Sequence, residues 1–141
     1  MPNSPALKIV NYVLAAVFVF FAWFQRNDID PAIYYHPSVI DSALWFLFYL
    51  VIGVIFLTLN FRIIPKWYFI VAVIACLIEM GLSGPGLWNN LTGKDTFTMT
   101  QTSMSAEDPR VELTREFFGA LLALAAVGFQ FWQNKRGRAS A

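Results

Sequence analysis

Four long apolar stretches, interrupted by few charged residues, dominate this sequence. They run roughly over residues 7–24, 43–61, 66–82 and 113–133. A membrane-crossing helix needs roughly 20 mainly apolar residues to cover about 30 Å of hydrocarbon. The strands of a membrane β-barrel instead alternate apolar and polar residues over about 10 positions, and the apolar runs here are continuous. The sequence therefore predicts an all-α, polytopic membrane four-helix bundle that forms one transmembrane domain over residues 1–141.

The composition excludes several other classes of protein. Charged residues make up 13% of the chain and hydrophobic residues 57%, whereas a soluble domain carries about 25% charged residues. Disorder requires few apolar residues, and nucleic-acid binding requires a basic surface that a formal net charge of +1 does not provide. We therefore expect the lipid bilayer as a partner and no nucleic acid. No motif in the sequence indicates a cofactor or a metal site, so neither is expected.

Local signals predict where the helices begin and end. Ser38 with Asp41 resembles a capping box before the second helix. Asp108-Pro109 supplies a capping acceptor and a proline for the start of the fourth. The run at 83–86, Ser-Gly-Pro-Gly, predicts the end of the third helix because proline interrupts helical hydrogen bonding. Tryptophan prefers the headgroup level of a bilayer, and all five lie at or near predicted span ends: Trp23, Trp45, Trp67, Trp88 and Trp132.

The distribution of charge predicts the orientation. Basic residues are enriched in cytoplasmic loops, and 6 of the 10 lie on the side of the two termini: Lys8, Arg62, Lys66, Lys135, Arg136 and Arg138. All 9 acidic residues lie at or near the opposite face. We therefore expect both termini in the cytoplasm and loops 25–42 and 83–112 outside. The membrane expected for such a protein is a plasma membrane or a bacterial inner membrane.

Each predicted helix also carries a stripe of small and polar residues. Helices in lipid associate through small residues, close packing and polar bonds rather than through a hydrophobic drive. We expect four residues of these stripes to pack the helices together: Asn11, Gly53, Gly119 and Ala123.

Polar and ionisable residues are predicted to cluster near the outer end of the bundle. Glu79 lies about 20 Å along the third helix, within the hydrocarbon, where an ionisable side chain needs a partner. Arg115, in the first embedded turn of the fourth helix, is the expected partner. Two interpretations of Glu79 stay open at this point. It forms an ion pair that fixes helix register, or it binds substrate or protons. The candidate binding or polar-cluster residues are Gln25, Asn27, Asp28, Asp30, Glu79, Glu112, Arg115 and Glu116.

Three motifs in this order carry a resemblance to a known family. They are Gln25-x-Asn27-Asp28-x-Asp30 after the first span, Trp45-x-x-x-Tyr49 in the second, and Glu112-x-x-Arg115-Glu116-x-x-Gly119 opening the fourth. With these motifs the chain resembles the transmembrane protein 220 family. It departs from the family's pattern at 33–42 and in the threonine-rich stretch 92–103. The resemblance implies a four-helix membrane protein and points to the motif residues, and it names no reaction.

The sequence leaves three functions open. The favoured one is a non-catalytic accessory or small-ligand-binding bundle, alone, as a homo-oligomer or with other membrane subunits, because no catalytic motif is present. A small proton-coupled transporter that uses Glu79 is the first alternative. The second is a membrane-embedded enzyme acting on a lipid or quinone, with Glu116, Glu79 and Asp28 as acid and base groups.

The second outer loop carries two further patterns. Asn90-Leu91-Thr92 matches an acceptor for N-glycosylation. Residues 96–102 alternate threonine with larger side chains, which predicts an extended segment over the mouth of the bundle.

Overall fold

Four α-helices that run alternately up and down make up the described part of the chain. The computed structural model describes residues 4–93 and 104–139. The helices are α1 (Pro5–Gln25), α2 (Val39–Thr58), α3 (Lys66–Thr92) and α4 (Arg110–Ala139). Both described chain termini and the turn at 59–65 lie at one end of the bundle, here called the terminal end. The loop at 26–38 and the start of α4 lie at the opposite end, the loop end. The prediction of an all-α, four-helix protein is confirmed.

The outer surface of the helices is apolar. In the part of the chain that the structure describes, α1, α2 and α3 are long and apolar enough to cross a membrane. They expose side chains such as Ile9, Leu44 and Ile70. The 30-residue α4 has charged residues in its first and last turns and exposes Phe118 and Leu122 between them. A bilayer accepts such a surface because the exposed side chains are apolar and the backbone polar groups between the helix ends are bonded internally.

The bundle consists of two helical hairpins, α1 with α2 and α3 with α4, which meet mainly where α2 contacts α4. Glycine allows the close approaches within each hairpin. A Cβ atom on Gly53 of α2 would lie 3.2 Å from the carbonyl oxygen of Ala15 in α1. A Cβ atom on Gly86 of α3 would lie only 2.3 Å from Cβ of Leu113 in α4. The backbones of α1 and α4 stay apart, with no pair of Cα atoms within 8 Å.

The predicted end of the third helix at 83–86 is wrong, because α3 continues through Pro85 to Thr92. Proline removes one helical hydrogen bond, but the tight contact of Gly86 with Leu113 holds the following turns against α4. The predicted glycosylation acceptor is wrong for the same reason. Asn90 lies in α3, is 2% exposed and donates a hydrogen bond to Oγ1 of Thr114 at 3.2 Å. The extended segment predicted at 96–102 lies outside the described residues.

The two predicted helix starts agree with the capping bonds. Oγ of Ser38 accepts from the Asp41 N–H at 3.4 Å, and Oδ1 of Asp108 accepts from the Arg110 N–H at 3.2 Å. Four of the five tryptophans are exposed, as expected at a headgroup level. Trp45 differs, because its ring is 7% exposed and packs inside the bundle against Tyr49.

Buried amides tie α1, α4 and the turn at 59–65 together near the terminal end. Nδ2 of Asn11 donates to Oδ1 of Asn60 at 2.8 Å and to Oε1 of Gln133 at 2.9 Å. Nε2 of Gln133 donates back to Oδ1 of Asn11 at 2.8 Å. Only Nδ2 of Asn60 is a buried side-chain atom without a hydrogen bond among the described residues. A further amide, Gln130, accepts from the Tyr68 hydroxyl at 2.9 Å and donates to the carbonyl of Ile52 at 2.8 Å.

Candidate functional site

A cavity of about 280 Å³ opens at the loop end of the bundle. Residues from α1, α2, α4 and the segments beside them surround it, whereas α3 contributes none. The lining residues are Phe24, Gln25, Asp28, Tyr34, Asp41, Ser42, Trp45, Tyr49, Met104, Glu112, Arg115 and Glu116.

Hydrogen bonds within the 26–38 loop and to its neighbours shape the rim of this cavity. The Ser42 hydroxyl donates to the carbonyl oxygen of Gln25, which joins the start of α2 to the end of α1. The Tyr34 hydroxyl donates to Oδ1 of Asp28 at 2.7 Å. The backbone N–H of Tyr35 donates to Oε2 of Glu112 at 2.7 Å. The loop is thereby attached to both hairpins.

The charge around the cavity is predominantly negative. Four carboxylates line it, those of Asp28, Asp41, Glu112 and Glu116, together with one guanidinium, that of Arg115. Burial raises the pKa of Asp28 above its ordinary value, although the hydrogen bond from Tyr34 opposes this. Partly desolvated carboxylates that face one another repel, so a cation entering the cavity would gain free energy from all of them.

Aromatic rings form the inner wall of the cavity. The ring centroids of Trp45 and Tyr49 are 5.4 Å apart. Tyr49 is 6% exposed, and no described residue forms a hydrogen bond with its hydroxyl. That hydroxyl lies against Gly119, where a Cβ atom would be only 2.5 Å from it. Carboxylates combined with aromatic rings suit an organic cation, which is attracted by charge and by the π faces.

The structure brings together five of the residues predicted for the site. Gln25, Asp28, Glu112, Arg115 and Glu116 all line the cavity.

Two other predicted residues lie in the 26–38 loop but do not line the cavity. Asn27 and Asp30 are both exposed. Oδ1 of Asp30 accepts from the Ala32 N–H at 2.9 Å, which stabilises a local turn.

Glu79 is half-buried on α3 and does not line the cavity, although its charge acts on Tyr49 and Glu116, which do line it. The expected ion pair between Glu79 and Arg115 is wrong, since the Glu79 carboxylate forms no ion pair within residues 4–93 and 104–139. The reason is geometric. Arg115 lies on the side of α4 that faces the 26–38 loop, where its charge acts on Tyr34. Glu79 projects from α3, which contributes nothing to the cavity wall, and the charges that act on it include that of Asp41.

Sequence reasoning missed part of the site on α2. Asp41, Trp45 and Tyr49 recur every four residues, so they share one face of the helix and all line the cavity. The Trp45-x-x-x-Tyr49 spacing contained this signal. Tyr34 was not predictable, because its bond to Asp28 depends on the path of the loop.

The described residues contain no group of three or more histidine, cysteine, aspartate or glutamate side chains arranged to hold a metal ion.

Comparison with known proteins gives one match. The model of a family described as transmembrane family 220, helix, matches residues 17–132. This range includes every residue that lines the cavity. No curated protein and no solved structure matches the chain.

Proposed function

The chain belongs to transmembrane family 220 and is a multi-pass membrane protein, and we propose that its loop-end cavity binds a small organic cation without chemical turnover. One observation carries the proposal: four carboxylates and one guanidinium surround a cavity whose inner wall is aromatic. The excess of negative charge favours a cation, and the rings of Trp45 and Tyr49 favour an organic one.

The opposite end of the bundle supports binding over passage through the molecule. A transporter requires access to its site from both ends. At the terminal end, Asn11, Asn60 and Gln133 are each at most 2% exposed, and their amides are bonded to one another. The cavity is therefore a pocket at one end of the bundle in the conformation described.

The same proposal includes an orientation and a fourth span. We propose that α4 crosses the membrane with the other helices, because it exposes Leu121, Leu122 and Phe131 between charged ends. The excess of basic residues at the terminal end favours a cytoplasmic position for it. The cavity then opens on the outer side of a plasma membrane or a bacterial inner membrane.

Cysteine labelling tests this orientation. In a Cys76→Ser background, we expect Glu107→Cys at the loop end to react with a membrane-impermeant maleimide in intact cells. Arg62→Cys at the terminal end is expected to react only after permeabilisation. The reverse pattern contradicts the orientation.

Binding of choline in detergent, measured by calorimetry, tests the proposed function. Choline is permanently charged, and 3,3-dimethylbutan-1-ol has nearly the same shape without the charge. We expect choline to bind and the alcohol not to bind. At about pH 8.5, where carboxyl groups are ionised, Glu116→Gln should lower choline affinity at least about tenfold, because one favourable charge interaction in a partly desolvated site exceeds 1.4 kcal/mol.

Glu107→Gln is the matched control, since Glu107 is exposed and does not line the cavity. We expect its choline affinity to equal that of the wild type. Equal binding of choline and the alcohol, or no binding of choline, contradicts the proposed function.

A further inference from the structure

We propose, resting on the proposed function, that the ligand is a single-chain membrane amphiphile whose cationic headgroup lies in the cavity and whose hydrocarbon chain lies in a groove between α1 and α4. The carboxylates already described would bind the cationic headgroup. A second, separate feature of the bundle surface would bind the hydrocarbon chain of the ligand.

That feature is an apolar groove of about 280 Å³ beside the cavity. Its walls come from α1, α2 and α4: Phe21, Phe24, Gln25, Tyr49, Phe118, Gly119 and Leu122. Phe24, Phe118 and Leu122 are each more than two-fifths exposed. The groove is therefore open on the side that faces the acyl chains of a bilayer.

The groove exists because two helices are held apart. The backbones of α1 and α4 have no Cα atoms within 8 Å of each other, although the other side of each helix is packed against its hairpin partner. Gly119 leaves further space on α4, because it presents no side chain beside Tyr49. A hydrocarbon chain from the bilayer would fill this groove and form apolar contacts with its walls.

The groove and the cavity are continuous through shared walls. Phe24, Gln25 and Tyr49 line both of them. The Tyr49 hydroxyl lies at their junction, where it is open to the cavity, and no described residue forms a hydrogen bond with it. A polar group of a ligand at the junction would supply the missing partner.

These features together select one class of ligand. The carboxylates attract a cation, the junction offers a hydroxyl, and the groove accepts an apolar chain. A water-soluble amine would leave the groove empty, and a neutral lipid would leave the carboxylates uncompensated. A single-chain amphiphile with a cationic head satisfies all three parts, and it reaches the site sideways from the membrane.

The test compares dodecyltrimethylammonium with choline, using the full-length protein in micelles of dodecyl maltoside, whose headgroup carries no charge. Leu122→Trp fills the groove without touching the cavity, since Leu122 lines only the groove. We expect this variant to bind dodecyltrimethylammonium about tenfold more weakly, because the indole ring displaces the hydrocarbon chain and the loss of about ten close atom contacts costs about that factor. Its choline affinity should equal that of the wild type.

Leu121→Trp is the matched control, because Leu121 is a neighbouring exposed leucine that lines neither the groove nor the cavity. We expect it to bind both probes as the wild type does, and dodecanol should not compete with either probe. If choline binds but Leu122→Trp and Leu121→Trp bind dodecyltrimethylammonium equally, the lateral groove is wrong and the cation site stands. If neither cationic probe binds, the proposed function itself fails.

Discussion

At the scale of single residues, one asparagine near the end of α4 fixes the path of the chain between α2 and α3. Oδ1 of Asn134 accepts from the Ile64 N–H at 2.7 Å, and its Nδ2 donates to the Ile64 carbonyl at 3.0 Å. Both residues are buried, at 3% and 4% exposure. The amide replaces water for a backbone segment that forms no regular helix, and so it satisfies polar groups that would otherwise be costly to bury.

We therefore expect Asn134→Leu to lower the free energy of unfolding by about 1–3 kcal/mol, the cost of leaving a buried N–H without a partner. Thermal unfolding in detergent, followed by circular dichroism, measures this change. Asn89→Leu is the control, because Asn89 is exposed, and its melting temperature should match that of the wild type. An equal effect of the two substitutions would show that the hydrogen bonds between Asn134 and Ile64 do not stabilise the fold.

At the scale of helices, α3 illustrates how packing outweighs a local signal. Pro85 lies between two glycines, which favours a break in the helix, yet α3 continues for seven residues beyond it. Gly86 brings the backbone of α3 against the side chain of Leu113, and the turns that follow place Asn90 beside Thr114. Contacts with α4 thus offset the hydrogen bond that the proline removes.

Substitution of the glycines in α3 tests this explanation. We expect Gly86→Ala to destabilise the protein by about 1–3 kcal/mol, because the added Cβ overlaps the Leu113 side chain. Gly81→Ala in the same helix meets nothing within 4 Å, and alanine favours a helix, so its melting temperature should be unchanged or higher. A stable Gly86→Ala protein would contradict the close contact between α3 and α4.

At the scale of the whole molecule, much of the fold was predictable because helical periodicity is a local property. The stripe of α1 runs through Asn11, Ala15 and Ala22, and all three are buried. The motif residues of the site were predictable as a group, since they lie at helix ends that short connections bring to the same end of a bundle.

The pairing of side chains between helices was not predictable from the sequence. Whether Glu79 meets Arg115 depends on which faces of the two hairpins are in contact, and no local pattern specifies that. The amides at the terminal end, such as Gln130 and Asn134, lie within an otherwise ordinary amphipathic end of α4, so their burial also follows only from the assembled bundle.

The assembled bundle is thus asymmetric. At the terminal end, buried amides join the helices to one another. The loop end holds a cavity lined by four carboxylates and one guanidinium. The central claim is that the ionised carboxylates of this cavity attract the ligand, and Asp28 gives that claim a definite dependence on pH. Its pKa is raised by burial, so it takes up a proton at a higher pH than an ordinary aspartate does.

The most direct test is therefore choline affinity measured by calorimetry between about pH 7.5 and about pH 4, a range that spans the titration of raised carboxyl groups. The charge of choline does not change with pH, whereas protonation removes negative charge from the cavity. We predict that affinity falls steadily as the pH is lowered, beginning above the ordinary pKa of aspartate, and that Asp28→Asn shows a smaller fall. An affinity that stays constant or rises on acidification would contradict the account.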